Sequence, residues 1–391
     1  MTAEQLLGAD QAQPSEPVDA DATARVTAIR TSFALVEPHA DKVVKLFYAL
    51  LFDFAPETRD LFPANMEIQR SRLLRALVYV VQMVDRPNEL TAFLTQLGRD
   101  HRKFGVLSEH YDAVGAALLT TLEHFAGPAW SPTVAKAWTD AYSQVAAAMC
   151  AAADAEPGPA SWAAEVVEHR RLSNDLAIVT VQPESAVPYR AGQYVSVETP
   201  QRPRLWRYLS PANAPRPDGQ IEFHIRAVDG GWVSRAIVAH TNPGDTWQIG
   251  PPMGQLTVNR DSGDDVLMIA GGTGIAPIKA LLEDLTRWGE NPRTQVFVGG
   301  RSWEGLYAVE SIRKLSYTNP WLNVIPVVER DSPGSGAERG VLADVVTRYG
   351  AWQGNDVLLA GSPAMIRATV SRMLVAGTAL DRIHYDPFTA D

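Results

Sequence analysis

The hydrophobic pattern of this chain changes its period twice, and one compact layer of structure cannot satisfy all three patterns. From residue 24 to about 154 apolar residues recur at three- and four-residue spacing, as in Val43, Val44, Phe47, Leu50, Leu51 and again in Leu73, Leu74, Leu77, Val78, Val81. That is the stripe of a helix burying one face. Glu156-Pro157-Gly158-Pro159 breaks the pattern, since proline cannot continue a helix. Apolar and polar residues then alternate over 176–181, 194–197 and 221–226, with Pro- and Gly-rich turns between them, which predicts a small antiparallel barrel. After Asp264 strands alternate with helices, the mark of a parallel α/β sheet. The chain therefore reads as multidomain: a polar, disordered tail over 1–23, an all-α domain over 24–155, an antiparallel β-barrel domain over 160–260 and an α/β parallel-sheet domain over 264–391.

Composition narrows the function classes. A chain of 391 residues with 46% hydrophobic content is ordinary for globular folds. Its net charge of −10 argues against nucleic acid or an anionic membrane as partner, and its apolar runs are too short to span a bilayer. Glu4, Asp10, Glu16, Asp19 and Asp21 precede the first basic residue, Arg25, so the basic start of a secretory leader is missing. The single cysteine, Cys150, excludes an intrachain disulfide and a cysteine metal cluster. It sits in an Ala-rich helix and reads as a buried, inert thiol. These features predict a cytoplasmic enzyme, monomeric, with no nucleic-acid partner and no membrane span.

The stretch Leu97-Gly98-Arg99-Asp100-His101-Arg102-Lys103-Phe104 puts a histidine on the last turn of a predicted helix, and Tyr111 follows on the next one. A metal-ligating imidazole must be neutral, rigidly held, and occupied at its second nitrogen. Any of His39, His101, His110 and His124 could instead be a surface or core residue. What precedes His101 singles it out: Tyr48 in Leu46-Phe47-Tyr48-Ala49, then Phe62 before Pro63, then Gln69 and Leu73 on a further helix. That order resembles a globin, and the Tyr48, Gln69 and Leu73 set resembles the flavohaemoglobins. The resemblance implies haem b ligated by His101, Phe62 against the porphyrin edge, and Tyr48 and Gln69 donating to bound dioxygen. It also implies that Leu73 limits ligand access and that Tyr111 supports His101. Without it, Tyr48 and Phe62 are core aromatics of any helical bundle.

Asp265-Val266-Leu267-Met268-Ile269-Ala270 reads as a buried strand feeding Gly271-Gly272-Thr273-Gly274-Ile275-Ala276-Pro277 and then a helix. Such a turn lets backbone amides and the helix dipole meet a pyrophosphate, and Pro277 suits a first helical turn. Tight packing without a ligand is the alternative, because the spacing is not the Rossmann one. Further segments resemble the ferredoxin-reductase family: Tyr189-Arg190-Ala191-Gly192, Arg207-Tyr208-Leu209-Ser210, Gly230-Gly231-Trp232-Val233-Ser234, Ala360-Gly361-Ser362-Pro363 and Tyr385-Asp386-Pro387-Phe388. The resemblance implies FAD at Tyr189, Arg207, Tyr208, Ser210, Gly231 and Ser234. It implies NAD(P)H at Gly271, Gly272, Thr273, Gly274, Pro277, Gly361 and Pro363, with Phe388 near the nicotinamide. Arg301, after a later strand, points weakly to NADPH. Arg70, Arg72 and Arg75 read as solvated surface or as a haem-propionate partner.

Several positions depart from the family pattern. Leu209 stands where the flavin-stacking tyrosine of Arg-x-Tyr-Ser belongs, and a shift of one residue to Tyr208 turns a strand side chain to the opposite face. Ala360 replaces the nicotinamide-side cysteine. The family's proximal glutamate falls at Ala153, and Asp154 beside it points about 100° away on a helix. These departures resemble an atypical, largely actinobacterial subgroup. The implied activity is electron flow from NAD(P)H through FAD to haem, with dioxygen-dependent oxidation of nitric oxide to nitrate. Two alternatives stand beside it: the same fold fed by a 2-hydroxy acid such as lactate, and a non-enzymatic haem gas sensor.

Overall fold

The computed structural model describes residues 20–330 and 336–386, which divide into two compact units at Pro157. Most of the tail expected over 1–23 lies outside the described residues. Its last four positions do not fit the expectation: residues 20–23 open the first helix, where Asp21 faces the positive end of the helix dipole.

The first unit consists of α1 (Ala20–Val36), α2 (Ala40–Phe54), α3 (Glu67–Met83), α4 (Pro87–His101), α5 (His110–Ala126) and α6 (Pro132–Ala155), with short 3-10 turns between them. The helical period places Val43, Val44, Phe47, Tyr48 and Leu51 on the buried face of α2. Ile29, Phe33, Val36, Val43, Leu122 and Trp138 form the main core, and the Trp138 indole donates to Ser32 Oγ at 2.9 Å, so its polar atom is satisfied. Ser131 caps α6 by accepting from the Val134 amide at 3.3 Å, with Pro132 in the first turn. Helix α4 meets α6 at Gly98, where a Cβ would lie 2.3 Å from the Met149 carbonyl oxygen. That approach fixes the helix on which His101 stands, one turn further on.

In the second unit, β1 (Trp162–Arg171), β2 (Leu176–Pro183), β3 (Val195–Thr199), β4 (Arg202–Leu209), β5 (Ile221–Arg226) and β6 (Thr246–Ile249) form an antiparallel sheet of order β4-β3-β6-β1-β2-β5. It curls until the edge strands β4 and β5 touch, around Val179, Val195, Phe223, Trp247 and Ile249. Helix α7 (Trp232–His240) lies between β5 and β6 in sequence. The rest of the unit is a parallel sheet of order β10-β9-β8-β7-β11-β12. Its strands are β7 (Asp265–Gly271), β8 (Thr294–Gly300), β9 (Leu322–Val328), β10 (Glu338–Arg339), β11 (Asn355–Ala360) and β12 (Ile383–Tyr385). Its helices are α8 (Ile275–Leu285), α9 (Val309–Ser316), α10 (Leu342–Tyr349) and α11 (Pro363–Val375). The chain leaves β7 on one side for β8, β9 and β10, then returns to lay β11 on the other. The crevice beyond the carboxyl ends of β7 and β11 is thus a topological switch point, where open α/β sheets bind ligands. No helix among the described residues is long and apolar enough to cross a membrane.

The α4–α6 approach gives a direct test. Gly98→Val forces two helices apart, and overpacking of this kind costs about 1–3 kcal/mol. The urea midpoint of the helical dichroism signal should fall accordingly; an unchanged midpoint would mean that the two helices do not rely on this contact.

Candidate functional site

Helices α3 and α4 form a hairpin, closed by ring contact between Tyr79 and Phe93 at 4.5 Å. Gln69, at the start of α3, and His101, at the end of α4, therefore lie at its other end. His101 Nδ1 is 2.7 Å from the Leu97 carbonyl. A carbonyl only accepts, so Nδ1 carries the hydrogen and Nε2 keeps its lone pair. Burial lowers the pKa of His101 below the usual histidine value, against the pull of the Leu97 bond, and favours the neutral ring. The ring sits edge-on to Phe104 at 6.0 Å. Neutral, oriented and with one nitrogen free, His101 has the chemistry of an axial haem ligand.

The Tyr48 side chain is buried, edge-on to Phe62 at 5.4 Å and to Phe47 at 5.0 Å, and Leu73 packs into the same cluster. Its hydroxyl lies 3.5 Å from the Gln69 backbone carbonyl, a contact too long to hold a donor firmly. Burial drives its pKa far above the ordinary phenol value, partly offset by Gln69 and Arg70, so it stays protonated. The structure thus gathers Tyr48, Phe62, Gln69 and Leu73 into one pocket. Arg70 Nε is buried there without a hydrogen-bond partner, a donor suited to a carboxylate such as a haem propionate. An oriented imidazole, a buried phenol and an Arg70 Nε without a partner all fit haem.

Tyr111 offers its backbone carbonyl to the Tyr142 hydroxyl at 2.5 Å, and burial, with Cys150 nearby, pushes its own hydroxyl up to about 12. The partner of His101 Nδ1 is Leu97, on its own helix. Ala153 stands on the last turn of α6 and Asp154 is exposed. The next carboxylate, Glu156, is engaged with Arg99 at 2.7 Å.

Tyr189 is turned into the protein. It is buried in the barrel core, and its hydroxyl donates to the Asn213 carbonyl at 3.1 Å. It stands in the connection between β2 and β3, with its amide donating to the Val187 carbonyl at 2.9 Å. On β4, Leu209 packs on the barrel core while the Tyr208 ring is 43% exposed and meets the Tyr194 ring at 5.2 Å. The two neighbours therefore take opposite faces, and Tyr208 is the aromatic available from outside. Arg207 and Ser210 flank it, both half-buried. At the start of α7, a Cβ on Gly231 would fall 2.6 Å from Ser234 Oγ, and Ser234 Oγ accepts from the Val228 amide at 3.4 Å. An open helix start, a guanidinium and an outward aromatic fit the pyrophosphate and ring of FAD.

At the switch point, Gly271 ends β7, and the turn Gly272–Gly274 leads into α8 with Pro277 in its first turn. A Cβ on Gly274 would stand 2.2 Å from the Ala360 carbonyl oxygen. The turn containing Thr273 and the segment Ala360-Gly361-Ser362-Pro363 thus close on each other. Ser362 caps α11 through the Met365 amide at 3.3 Å, with Pro363 in its first turn. Two helix starts at one crevice fit a dinucleotide. Arg301 is exposed after β8. Phe388, expected beside the nicotinamide, lies outside the described residues. Sequence reasoning did not single out Gly254, whose position abuts the Tyr194 ring and Asp386 Oδ1; Asp386 was seen only as part of the C-terminal Tyr385-Asp386-Pro387-Phe388 segment.

Three family models match the chain in series: Globin over residues 45–149, Oxidoreductase FAD-binding domain over 163–258 and Oxidoreductase NAD-binding domain over 268–371. A flavohemoprotein of Bordetella pertussis is 27% identical, covering 92% of this chain and 96% of its own. One of Bacillus subtilis is 24% identical, covering 92% and 95%. The fold is similar to that of a Malassezia yamatoensis flavohemoglobin solved with FAD and heme bound, at a TM-score of 0.76 and 18% identity, covering 93% of this chain and 98% of that one.

Burial pushes the Asp386 carboxyl up to about 6, offset in part by the Gln255 amide. Because its folded value is raised above the unfolded one, the folded state binds the extra proton between the two, and stability is lost as pH rises through about 6. Asp386→Asn should therefore flatten the fall in melting temperature between mildly acidic and neutral pH relative to the parent. Parallel curves would show that Asp386 is solvated like an ordinary carboxylate.

Proposed function

This chain belongs to the flavohaemoproteins, in which a globin is joined to the FAD- and NAD-binding domains of an oxidoreductase, and from that premise we propose that it is an NAD(P)H-dependent enzyme consuming nitric oxide and dioxygen. The observation that carries the reading is His101, whose Nδ1 is spent on Leu97 and whose Nε2 is left for iron, in a chain whose remaining length matches flavin and nicotinamide domains. When bound, the cofactors supply the redox chemistry: hydride from NAD(P)H to FAD, single electrons from FAD to haem, and oxidation of nitric oxide by dioxygen to nitrate at the iron.

The chain's own residues supply geometry and electrostatics. His101 holds the iron; Phe62 and Leu73 shape the pocket and limit access. The Tyr48 phenol, kept protonated by burial, is a donor whose contact to Gln69 is weak enough to be redirected to a bound gas, and Gln69 offers a second donor. Tyr111, half-buried, supports His101 on the proximal side. Arg207, Tyr208, Ser210, Gly231 and Ser234 hold FAD. Gly271, Gly272, Thr273, Gly274, Pro277, Gly361 and Pro363 form the nicotinamide crevice, with Phe388 as its terminal aromatic. The domain limits at 155, 160–260 and 264 and a monomeric state belong to the same reading, as does a cytoplasmic location, which the single cysteine supports.

A second reading has a specific basis. Leu209 is committed to the barrel core, and Ala360 brings no thiol to the crevice, so reduction by NAD(P)H would be slow and another donor, such as a 2-hydroxy acid, would feed the flavin. Anaerobic spectra with NADH, NADPH and lactate in turn decide between them. Bleaching of flavin and haem bands by a nicotinamide supports the first; bleaching by lactate alone supports the second, and a protein without flavin would be a gas-binding module.

Two substitutions test the haem pocket. His101→Ala should release haem or leave it dependent on added imidazole; a normal, stable haem spectrum would remove His101 as ligand. Tyr48→Phe should speed dioxygen dissociation about 10-fold or more, the loss of one hydrogen bond in a dry site. An unchanged rate by flash photolysis would pass the donor role to Gln69.

A further inference from the structure

A buried polar cluster joins the flavin barrel to the nicotinamide sheet, and no step proposed above uses it. Lys279 is on α8, five residues after the Gly272–Gly274 turn. A lysine there could be taken for a phosphate ligand. Its ammonium instead donates to the Ala212 carbonyl at 2.9 Å, to Glu222 Oε1 at 3.2 Å and to Glu283 Oε1 at 2.7 Å. An ammonium has three hydrogens, and all three are engaged. Glu283 in turn accepts from the Ala214 amide at 3.2 Å, and Arg287, just past the end of α8, donates to the Pro215 carbonyl at 2.7 Å.

The same strand of the barrel is held a second time. His224, on β5 two residues from Glu222, has Nε2 at 3.0 Å from Glu222 Oε1 and Nδ1 at 2.9 Å from the Tyr307 hydroxyl. Tyr307 belongs to the segment between β8 and α9. The carboxylate can only accept, so Nε2 donates to it, and in the neutral ring Nδ1 accepts from Tyr307. Burial keeps His224 below its usual pKa despite Glu222. Burial would raise Glu222, but His224 and Lys279 outweigh it and hold it at about 2. At neutral pH Glu222 is therefore negative and His224 neutral. Strand β5 also touches the Gly272–Gly274 turn itself.

We propose that Lys279, Glu222, His224 and Tyr307 are positioning residues for hydride transfer: they fix α8, and with it the glycine turn that seats the nicotinamide nucleotide, at one distance and angle from the flavin barrel. The proposal rests on the NAD(P)H-to-FAD reading. Two ties from separate segments of the sheet domain converge on neighbouring side chains of one strand, which restrains rotation as well as separation. None of the four touches the reacting atoms. Their effect is on approach, where a displacement of about 1 Å can cost on the order of 100-fold in rate.

The test uses the full chain loaded with haem and FAD. Lys279→Met and Glu222→Gln break the first tie, Tyr307→Phe breaks the second without changing shape, and Lys279→Arg is the conservative comparator. Arg372→Ala, which breaks the exposed Arg372–Asp344 pair at 2.9 Å, is the control. Anaerobic stopped-flow reduction by NADH or NADPH should show the limiting rate of flavin bleaching falling about 10-fold or more in Lys279→Met and Glu222→Gln and less in Tyr307→Phe. Lys279→Arg should recover part of it and Arg372→Ala should match the parent. Bleaching by dithionite should be unchanged. Hydrogen exchange should quicken in β5 and α8 together, a readout independent of turnover. A lowered melting temperature with an unchanged limiting rate would make the cluster merely structural and overturn the proposal. If a variant fails to fold, Tyr307→Phe alone decides by the same criterion. Failure of the unmodified protein to be reduced by either nucleotide would overturn the NAD(P)H reading and the proposal with it, whereas normal reduction in every variant overturns the proposal alone.

Discussion

Strand β7 must be covered on both faces, and most of the second unit follows from that requirement. Val266, Met268 and Ala270 enter one core with α8, and Leu267 and Ile269 enter the other with α10 and α11. A strand buried twice has to be central and parallel, with helical crossovers returning to either side. Once β8 is laid on one side and β11 on the other, the crevice at their carboxyl ends is unavoidable. Gly274 can then close to within contact of the Ala360 carbonyl only without a side chain. The nicotinamide site is thus a consequence of how a hydrophobic strand is buried, with its glycines set by backbone approach.

How much of this was legible in the sequence depends on the range of the interaction. The period of Val43, Val44, Phe47 and Leu51 marks a helix because the pattern and the structure are both local. The run from Val266 to Ala270 marks a buried strand for the same reason. The faces of Tyr208 and Leu209 were legible as opposite, since alternation demands it, but which of them met the core depends on the curl of the sheet. Tyr189 carried a family resemblance, yet its hydroxyl is bound to Asn213, twenty-four residues away. The partner of His101, a backbone carbonyl, has no side-chain signature at all. The Glu222–Lys279 pair is separated by 57 residues and two sheets, and no periodicity encodes such a meeting.

The energetics of that pair bear on its purpose. Lys279 and Glu222 keep only 13% and 19% of their side-chain surface exposed. Taking charges out of water costs several kcal/mol per ion, and a well-packed apolar pair is often as stable or more so, while removal of one partner costs about 3–5 kcal/mol. Stability alone would therefore be met as well by leucines. What leucines lack is direction: an ammonium with three acceptors and a carboxylate with two donors accept few relative orientations. On our proposal the chain carries the desolvation cost because the nicotinamide crevice needs an angle as well as a contact.

The same reasoning separates the two ends of the haem pocket. A carboxylate accepting from an imidazole forms a charge-assisted bond about twice as strong as a neutral one, and it makes the ring a stronger electron donor to the metal it holds. Here the acceptor is the neutral Leu97 carbonyl, Ala153 has no acceptor to offer, and Glu156 is committed to Arg99. If His101 is the ligand, as we propose, the 2.7 Å bond within one helix turn fixes its ring, but the electronic push behind it is smaller. On the opposite side Tyr48, Phe62, Gln69 and Leu73 are all present. On our proposal, Tyr48 and Gln69 would bind and orient a gas, while the lack of a carboxylate behind His101 would lower the pocket's capacity to activate it from the histidine side alone.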